Sequence, residues 1–338
     1  RSNIMKQLDQ LSRNSGYMGT YMSEFMGAGD WRLGYILRDR IENMTVDKVN
    51  TAIQRYLINT NRTVGEFIPS KAPIRVDIEH TAGLAELVAS YKGKESLGAG
   101  EAFDVAYDHI QKRLDTGVLQ KKPIEYGFIK KDNRGETVTL SFALRNGKLE
   151  DLMNKGLVAN YTARMLNKGT KTKSRQDIED KLSAIKSSVF FNGSNGRLTA
   201  TITSTKENLN EALMLMTDMI KNPIFDAEEL EKMKTQSLAG IEESKSEPQS
   251  LASRKIGLIN QKYGKGHPLY NMTIDEEIEA IKNVSVDHLK DYHKNFYGIS
   301  NSATLTAIGN IEEQELKDYF DREFDDFKSD LAFSRLQN

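Results

Sequence analysis

The chain has 338 residues, enough for two domains and parts of more, and its 38% apolar and 28% charged residues are typical of a globular protein. A net charge of −1 gives no overall field that would attract nucleic acid or an anionic membrane, and no apolar run approaches the roughly 20 residues of a transmembrane helix. The absence of cysteine excludes disulfides, thiolate zinc sites and a cysteine nucleophile.

Residues 1–69 are predicted to form helices followed by one strand. Met and Leu recur at helical spacing up to the segment GAGDW, and the following residues 31–44 continue that pattern. Thr45 has the position of an N-cap, with Asp47 in the first turn of the helix that it begins. The alternating segment NRTVGEFIP then predicts a strand that ends at Pro69.

Residues 70–122 lack sustained periodicity and contain the segments SKAP and YKGKESLGAG. We interpret them as a linker that contains short helices near residues 82–90 and 105–115.

A second ordered region is predicted for residues 123–338. IEYGFIKKD and ETVTLSFAL flank the turn residues NRG, which predicts two paired strands. Residues 148–166 predict one amphipathic helix that stops near Gly169. Its apolar face consists of Leu149, Leu152, Met153, Leu157, Tyr161, Met165 and Leu166.

The rest of this region alternates between helices and strands. SRQD, from Ser174 to Asp177, resembles a capping box, and SSVFFNGSNGRLTATITS predicts a hairpin. A long helix is predicted from Lys206, Asp226 caps the next helix, and Pro248 separates that helix from another. NVSVDHLKDYHKNFYG predicts a further helix and SATLTAIGN a strand, so the fold class is α+β.

Two segments match without a gap at an offset of 240, namely IENMTVDKVNTAIQRYLINTNRTV (residues 41–64) and IKNVSVDHLKDYHKNFYGISNSAT (residues 281–304). The matches include a Thr or Ser cap followed by Val–Asp. Each copy predicts a capped helix that leads into a strand. A duplicated domain explains this better than chance similarity between two such units.

Catalytic motifs are absent from the sequence. His80, His109, His267, His288 and His293 have no metal-ligand spacing, and H-x-x-E-H, H-E-x-x-H and G-x-S-x-G do not occur. A structural role is favoured for His267, in a turn, and the acidic segment DAEELEK is explained by the dipole of a helix start. The basic cluster could bind an acidic substrate, but a solvated loop is favoured. It consists of Arg164, Lys168, Lys171, Lys173 and Arg175.

Several phrases in one colinear series resemble the pitrilysin/insulinase family of zinc metallopeptidases. They include GDWRLGYILRDRIENMTVDKV, MLNKGTKTKSRQDIEDKLSAIKSSVFFNGSNGRLTATI, LNEALMLMTDMIKNPIFDAEELEKMK and GHPLYNMTIDEEIEAIKNVSVDHLKDYHKNFYG. The resemblance implies two homologous halves, each made of two domains with helices packed on a largely antiparallel sheet, around a chamber that admits unfolded peptides. Residues 1–69 would end the first half, 70–122 would link the halves, and 123–338 would be the first domain of the second half.

The same resemblance places the family's zinc motif on the helix that ends in NYTARM. Its two histidine positions fall on Asn160 and Arg164, and its glutamate position falls on Ala163. The third ligand position falls on Ala239 or Gly240, with Glu242 and Glu243 displaced along the helix. The family's Arg/Tyr pair normally comes from the last domain, which would not be complete by Asn338.

These residues do not suit zinc, which needs imidazole nitrogens and a carboxylate, because Arg164 is a permanent cation and Ala163 cannot act as a base. We therefore expect this chain to have no metal or catalytic residue. One hypothesis is a non-catalytic segment of a zinc metalloendopeptidase, forming part of a peptide-enclosing chamber. Its zinc and catalytic half would lie upstream of Arg1 as the main partner. The alternative is a non-enzymatic scaffold relative. The family also suggests the bacterial periplasm, while the substrate stays open.

Overall fold

The computed structural model describes residues 1–65, 83–93 and 99–336. It divides into two compact units, unit 1 from Arg1 to Leu97 and unit 2 from Gly98 to Asn338. Of the predicted strand at residues 61–69, residues 61–65 are described and form no strand, whereas residues 66–69 and His80 lie outside the described residues. Every helix in the described part of the chain is too short or too polar to span a lipid bilayer.

Unit 1 consists of helices over its described residues. They are α1 Ser2–Ser12, α2 Ser15–Gly27, α3 Arg32–Glu42, α4 Val46–Tyr56 and α5 Leu84–Ala89, with a 3₁₀ turn at Asn59–Asn61. Thr45 caps α4 as predicted, because its hydroxyl accepts a hydrogen bond from the N–H of Lys48 at 3.3 Å. Gly34 of α3 lies against the rings of Tyr21 and Phe25, which allows α2 and α3 to approach closely.

Unit 2 combines ten helices with six strands in its described residues. The helices are α6 Tyr107–Arg113, α7 Leu149–Leu152, α8 Gly156–Met165, α9 Arg175–Ala184, α10 Leu209–Lys221, α11 Ala227–Ser244, α12 Pro248–Ile259, α13 Ile274–Asn283, α14 Val286–Phe296 and α15 Glu313–Glu323. The strands are β1 Leu114–Val118, β2 Ile124–Lys130, β3 Thr137–Arg145, β4 Ser188–Ser194, β5 Arg197–Thr205 and β6 Ala303–Gly309.

The six strands form one open sheet in the order β1-β2-β6-β3-β5-β4. The β2–β6 pair is parallel and every other pair is antiparallel, which confirms the α+β class with a largely antiparallel sheet. The predicted pairing of β2 with β3 is wrong, because β6 lies between them and pairs with both. Local turn residues suggested a hairpin, but a strand from far along the chain occupies the middle of the sheet.

Part of the predicted linker belongs to this sheet. Residues 70–122 include α6 and β1, and β1 pairs with β2 at the edge of the sheet. The linker interpretation is therefore wrong for β1, whereas α6 agrees with the short helix predicted near residues 105–115. β1 has the sequence LDTGV, in which Asp and Gly disfavour strands, and it follows α6 without a turn signal.

The helix predicted across residues 148–166 is divided into α7 and α8. Asn154 adopts a left-handed φ of 61°, and its N–H donates to the carbonyl of Gly266 at 2.7 Å. The backbone between the two helices is therefore held by a tertiary contact, which a periodic pattern cannot reveal. Of the predicted face, Leu152, Tyr161, Met165 and Leu166 are buried, whereas Leu149 and Met153 are exposed.

The predicted hairpin and caps are confirmed. Asn195 and Gly196 connect β4 to β5 with positive φ at both residues, as a two-residue type I′ turn requires. The Ser174 and Asp177 side chains form the capping box of α9, and Asp226 caps α11. Pro248 is the first residue of α12.

The core lies between the helices and one face of the sheet. Val138, Leu140 and Phe142 point into it from β3, and the Phe142 ring packs 5.0 Å from that of Phe320 on α15. The opposite face of the sheet carries polar side chains, since Ser141 pairs with Thr201 on β5 and with Thr306 on β6. This alternation is the period-two pattern of a sheet covered on one face.

The helical part of the repeat is present at the predicted offset. α4 and α14 begin and end 240 residues apart, and each starts at a hydroxyl cap, Thr45 or Ser285. A helix precedes each of them: α3 ends three residues before Thr45, and α13 ends two residues before Ser285. In unit 2 the helix leads through a short loop into β6, whereas the corresponding residues 63–69 are described only as far as residue 65.

Candidate functional site

α8 carries the positions that the resemblance assigned to a zinc motif, and it packs against β4. Asn160 and Arg164 are one helical turn apart on an exposed face. Ala163 is fully buried on the face toward the sheet. The three positions therefore lie close together on one helix, but only two of them reach solvent.

The surroundings of Ala163 leave no space for a larger side chain. A Cβ atom built on Gly193 of β4 would lie 2.5 Å from the Ala163 Cβ, 2.7 Å from the carbonyl oxygen of Ala159 and 3.0 Å from the hydroxyl of Tyr297. Glycine at 193 thus allows α8 to approach the strand closely, and alanine at 163 fills the contact.

The side chains on α8 do not fit a zinc ion. The donor set would be one amide from Asn160, nothing from Ala163 and a guanidinium from Arg164, whereas zinc is held by imidazole, thiolate or carboxylate. The Arg164 guanidinium stacks over the Tyr161 ring, with its Cζ atom 5.5 Å from the ring centroid. A cation in this position repels a metal ion instead of binding it.

The third predicted position lies on α11 and offers no ligand either. Ala239 and Gly240 are exposed, and a side chain added at Gly240 would meet no atom within 4 Å. Ile241 is the buried residue of this turn, and Glu242 pairs with Lys245 at 2.7 Å. No group of three or more His, Cys, Asp or Glu side chains in the described residues could hold a metal ion.

A cleft of about 950 Å³ opens beside Asn160. Its walls are the start of α8, the β4–β5 turn, the ends of α12, α13 and α14, and the loop between α12 and α13. Lining residues include Leu157, Asn160, Asn195, Arg254, His267, Tyr270, Asn271, Glu276, Glu277, Ala280 and His288. The wall mixes apolar side chains with amides and charges, as binding clefts commonly do.

Glu276 is the most strongly held charge in the cleft. Its carboxylate accepts hydrogen bonds from the Thr273 N–H at 3.0 Å and the Tyr270 hydroxyl at 2.9 Å, and it pairs with Lys265 at 3.0 Å. These contacts lower the pKa of Glu276 to about 2. The hydrogen bond from the Thr273 N–H contributes most, then that from Lys265, then that from Tyr270. Nearby, Arg254 pairs with Glu277 at 2.7 Å. These charges are paired within the fold, so they shape the cleft more than they supply reactive groups.

The sequence analysis missed this cleft, although a local signal was present. Thr273 and Glu276 form a capping box at the start of α13, in the segment TIDE. That motif fixes the direction of the Glu276 side chain. It does not reveal that α8 and the β4–β5 turn lie opposite.

The described histidines have separate environments. His109 lies near the carbonyl of Asp104, and His293 is largely buried with Nε2 2.7 Å from the carbonyl oxygen of Ile220. Burial lowers the pKa of His293. His267 Nδ1 accepts from the N–H of Leu269 at 3.1 Å, in agreement with a structural role in the turn. The fold brings His267 and His288 to the same cleft, which their positions in the sequence did not indicate.

The basic cluster is largely neutralised by neighbouring acids. Lys173 pairs with Asp218 at 2.9 Å, and Arg175 pairs with Glu179 at 2.8 Å. Lys168 lies 3.9 Å from Glu229 on α11. Arg164 points to Tyr161 instead of joining this group. The arrangement agrees with a solvated, ion-paired loop better than with a site for an acidic substrate.

An extended peptide could pair with the sheet only at its edges. The strands at Glu136–Leu144 and Leu198–Ser204 offer no free edge, because β3 and β5 each have a strand on both sides. The edge strands are β1 and β4. β4 runs beside α8, and its Phe190 side chain is 62% exposed.

Two family models match unit 2. Residues 128–273 match Insulinase (Peptidase family M16), and residues 283–335 match Peptidase M16 inactive domain. Together the two matches cover more than half of the chain. The chain belongs to the insulinase family. This agrees with the resemblance seen in the sequence.

One curated relative and several solved structures are similar to the chain. The non-peptidase homolog YmxG of Helicobacter pylori (strain ATCC 700392 / 26695) is 28% identical over 172 residues, which make up 51% of this chain and 38% of YmxG. A peptidase M16 inactive domain from Pseudomonas fluorescens gives a TM-score of 0.56 at 21% identity, over 66% of this chain and 53% of that chain. A protease from Helicobacter pylori gives a TM-score of 0.53 at 14% identity, over 67% of this chain and 52% of that chain.

The periplasmic protease PqqL from Escherichia coli gives a TM-score of 0.51 at 16% identity, over 70% of this chain and 26% of PqqL. The structural likenesses show a shared insulinase-family fold. The chain spans about half or less of the length of each of these relatives.

Proposed function

We propose that this chain is a non-catalytic part of an insulinase-family protein and that it contributes a wall on which an extended peptide is held. The proposal rests on the side chains that occupy the zinc-motif positions of α8. Its motif positions hold Asn160, Ala163 and Arg164, and the position of the catalytic glutamate is packed against Gly193. No side chain there can activate water.

The peptide-holding role is supported by the location of β4. An edge strand presents unpaired N–H and C=O groups, and an extended peptide can add to it as a further strand. β4 lies beside α8, and the cleft next to Asn160 begins at the β4–β5 turn. A peptide on this edge would therefore pass close to the cleft, which could receive one of its side chains.

In this proposal, hydrolysis belongs to the parent protein and to residues outside this chain. A zinc-binding half, preceding Arg1, would supply the metal-activated water. The matches to proteins described as proteases from Helicobacter pylori and Escherichia coli support this version. Residues of the present chain would bind and orient the peptide.

A second candidate is a non-enzymatic scaffold that has no catalytic half. The match to YmxG supports it, because that relative is described as a non-peptidase homolog. The two candidates differ in one sequence feature outside this chain. An H-x-x-E-H motif in the parent polypeptide would favour the peptidase, and its absence would favour the scaffold.

The binding part of the proposal can be tested with the chain itself. The probe is a fluorescein-labelled unstructured peptide of twelve residues, and its matched control is the same peptide with N-methyl groups on alternate residues. Fluorescence anisotropy should show saturable binding of the probe and at least tenfold weaker binding of the methylated peptide, because methylation removes strand hydrogen bonds. Equal binding of the two peptides, or no binding, contradicts an edge-strand role.

The location of binding needs a second pair of variants. Phe190→Ala on β4 should weaken binding, whereas Val118→Ala on β1, at the opposite edge, should not. The chain alone should leave the peptide uncut, with or without added zinc. Cleavage that survives purification and stops with a chelator would contradict the non-catalytic assignment.

A further inference from the structure

The β4–β5 turn contains a chemically labile pair of residues. An asparagine that is followed by glycine can lose its side-chain amide, because the glycine has no side chain to hinder attack by its backbone nitrogen on the asparagine Cγ atom. The sequence has three such pairs, which begin at Asn146, Asn192 and Asn195. The reactivity of each pair depends on how firmly the fold holds the asparagine side chain and the backbone that follows it.

Two of the pairs are held in place by the fold. Asn146 is buried, and its side-chain amide donates to the carbonyl of Gly298 at 2.9 Å. Asn192 lies within β4, where it pairs with Thr199 in an extended ladder, and the following residue Gly193 packs directly against α8. Attack on the side chain needs rotation of the backbone or of the side chain, and these contacts resist both.

The third pair forms the turn itself. Asn195 and Gly196 have φ values of 46° and 75° and connect β4 to β5. The Asn195 side chain lies in the wall of the cleft beside α8 and has no hydrogen bond to any residue that the structure describes. Gly196 is buried, and its N–H donates to the Tyr292 hydroxyl of α14 at 3.0 Å. In this pair, therefore, the fold restrains the attacking nitrogen and leaves the side chain free.

The packing of the turn requires glycine at position 196. A Cβ atom built on Gly196 would lie 2.0 Å from the carbonyl oxygen of Asn146, and the positive φ of Gly196 also disfavours a side chain. The type I′ turn favours asparagine at the preceding position. The same geometry that closes the hairpin thus creates the labile pair.

Deamidation at this pair consumes one water molecule and releases ammonia. The Gly196 nitrogen loses its proton and bonds to the Asn195 Cγ atom, which expels the side-chain nitrogen as ammonia and leaves a five-membered succinimide. Water then opens the ring to aspartate or isoaspartate. While the Gly196 N–H donates to Tyr292, the nitrogen keeps its proton and the turn keeps its shape, so ring closure requires this hydrogen bond to open first.

We propose that Asn195 is the most reactive deamidation site among the three pairs and that the Tyr292 hydroxyl, through Gly196, sets its rate. This inference does not depend on the proposed function. Either product places a carboxylate in the wall of the cleft, and isoaspartate also adds one carbon atom to the backbone of the turn.

The test compares reaction rates in the folded and the unfolded chain. The purified chain is incubated at mildly alkaline pH, and mass spectrometry with fragmentation of the tryptic peptide 187–197 separates Asn192 from Asn195. In guanidinium chloride the three pairs should react at similar rates. In the folded chain Asn195 should react fastest, and Tyr292→Phe should accelerate it about fivefold, the effect of losing one ordinary hydrogen bond.

Tyr319→Phe is the matched control, because it removes another buried tyrosine hydrogen bond, to Thr217 at 2.9 Å, between α10 and α15. It should leave the rate at Asn195 unchanged. Equal rates at Asn195 in Tyr292→Phe and Tyr319→Phe overturn the role of Tyr292. Faster reaction at Asn146 or Asn192 in the folded chain overturns the assignment of the site.

A second measurement needs no substitution and remains decisive if Tyr292→Phe fails to fold. Hydrogen exchange of the Gly196 amide in the unsubstituted chain should be slowed at least about tenfold relative to an unprotected amide, because exchange requires the bond to Tyr292 to open. Exchange at the unprotected rate shows that the hydrogen bond does not restrain Gly196 and overturns the proposal.

Discussion

Substituting the family's motif residues into α8 compares its two exposed motif positions, 160 and 164, with its buried motif position, 163. The double variant Asn160→His and Arg164→His changes two exposed residues. Its free energy of unfolding should therefore stay within about 1 kcal/mol of that of the unsubstituted chain. The loss of the Arg164 stacking on Tyr161 is the main contribution. Ala163→Glu should behave very differently, because its side chain has to enter the contact with Gly193.

Two effects should lower the free energy of unfolding of Ala163→Glu. A carboxyl group with an ordinary pKa of about 4.3 that is forced to stay protonated at pH 7 costs about 4 kcal/mol, at about 1.4 kcal/mol per pH unit. Overpacking against a site where a Gly193 Cβ would already approach Ala163 within 2.5 Å adds about 1–3 kcal/mol. The sum is at least a third of the stability of most domains.

Urea unfolding followed by circular dichroism measures these changes, with Ala163→Gln as the matched control that keeps the volume and removes the charge. Glu at 163 should be less stable than Gln at pH 7, and the difference should shrink toward pH 4.5. The sign follows from a carboxyl whose pKa is raised by folding, which loses stability as pH rises above its unfolded pKa. If the free energy of unfolding of Ala163→Glu is within about 1 kcal/mol of that of the unsubstituted chain, position 163 has room for a larger side chain and the packing argument is refuted.

Three further predictions concern unit 2. Tyr292→Phe should lower the free energy of unfolding by about 1–2 kcal/mol, because the N–H of Gly196 loses its hydrogen-bond acceptor. Tyr297→Phe should be neutral or slightly stabilising, since the buried Tyr297 hydroxyl has no partner among the residues described. Urea unfolding should therefore give a lower midpoint for Tyr292→Phe than for Tyr297→Phe. Gly240→Ala should stabilise the chain by about 0.5–1 kcal/mol, because Gly240 lies inside α11 with open space around it, and a lower midpoint would contradict this. Glu276 has a pKa lowered from 4.5 to about 2, so it contributes stability above pH 4.5 that is lost as pH falls toward 2. Glu276→Gln should therefore show a flatter acid limb in a pH series of unfolding midpoints, and an unchanged limb would refute the contacts of Glu276.

Local signals in the sequence predicted much of unit 2. The β4–β5 hairpin, the capping box at Ser174 and the cap at Asp226 depend on neighbouring residues, and all three predictions are confirmed. The gapless repeat predicted a capped helix in each copy, and α4 and α14 confirm that part of the prediction. These features depend on a few adjacent side chains and on backbone geometry.

The features that the sequence did not predict depend on distant contacts. β6 separates β2 from β3, although the NRG turn suggested that those two strands pair. The carbonyl of Gly266 holds Asn154 and divides one periodic stretch into α7 and α8. The cleft beside Asn160 needs elements that are more than a hundred residues apart, so its shape is not encoded in any single motif.

The central position of β6 has a consequence for synthesis on the ribosome. β2 pairs with β6 across 179 residues, from Ile124 to Ala303, so the sheet stays in two parts until β6 has left the exit tunnel. The nascent chain then carries a β1–β2 hairpin and a β3–β5–β4 sheet, each with an inner edge that lacks its neighbour. Such edges readily pair with other chains, and sheets closed by distant strands form slowly. Translation of the last part of this unit is therefore the step most exposed to misassembly, and holding chaperones would have most to protect there.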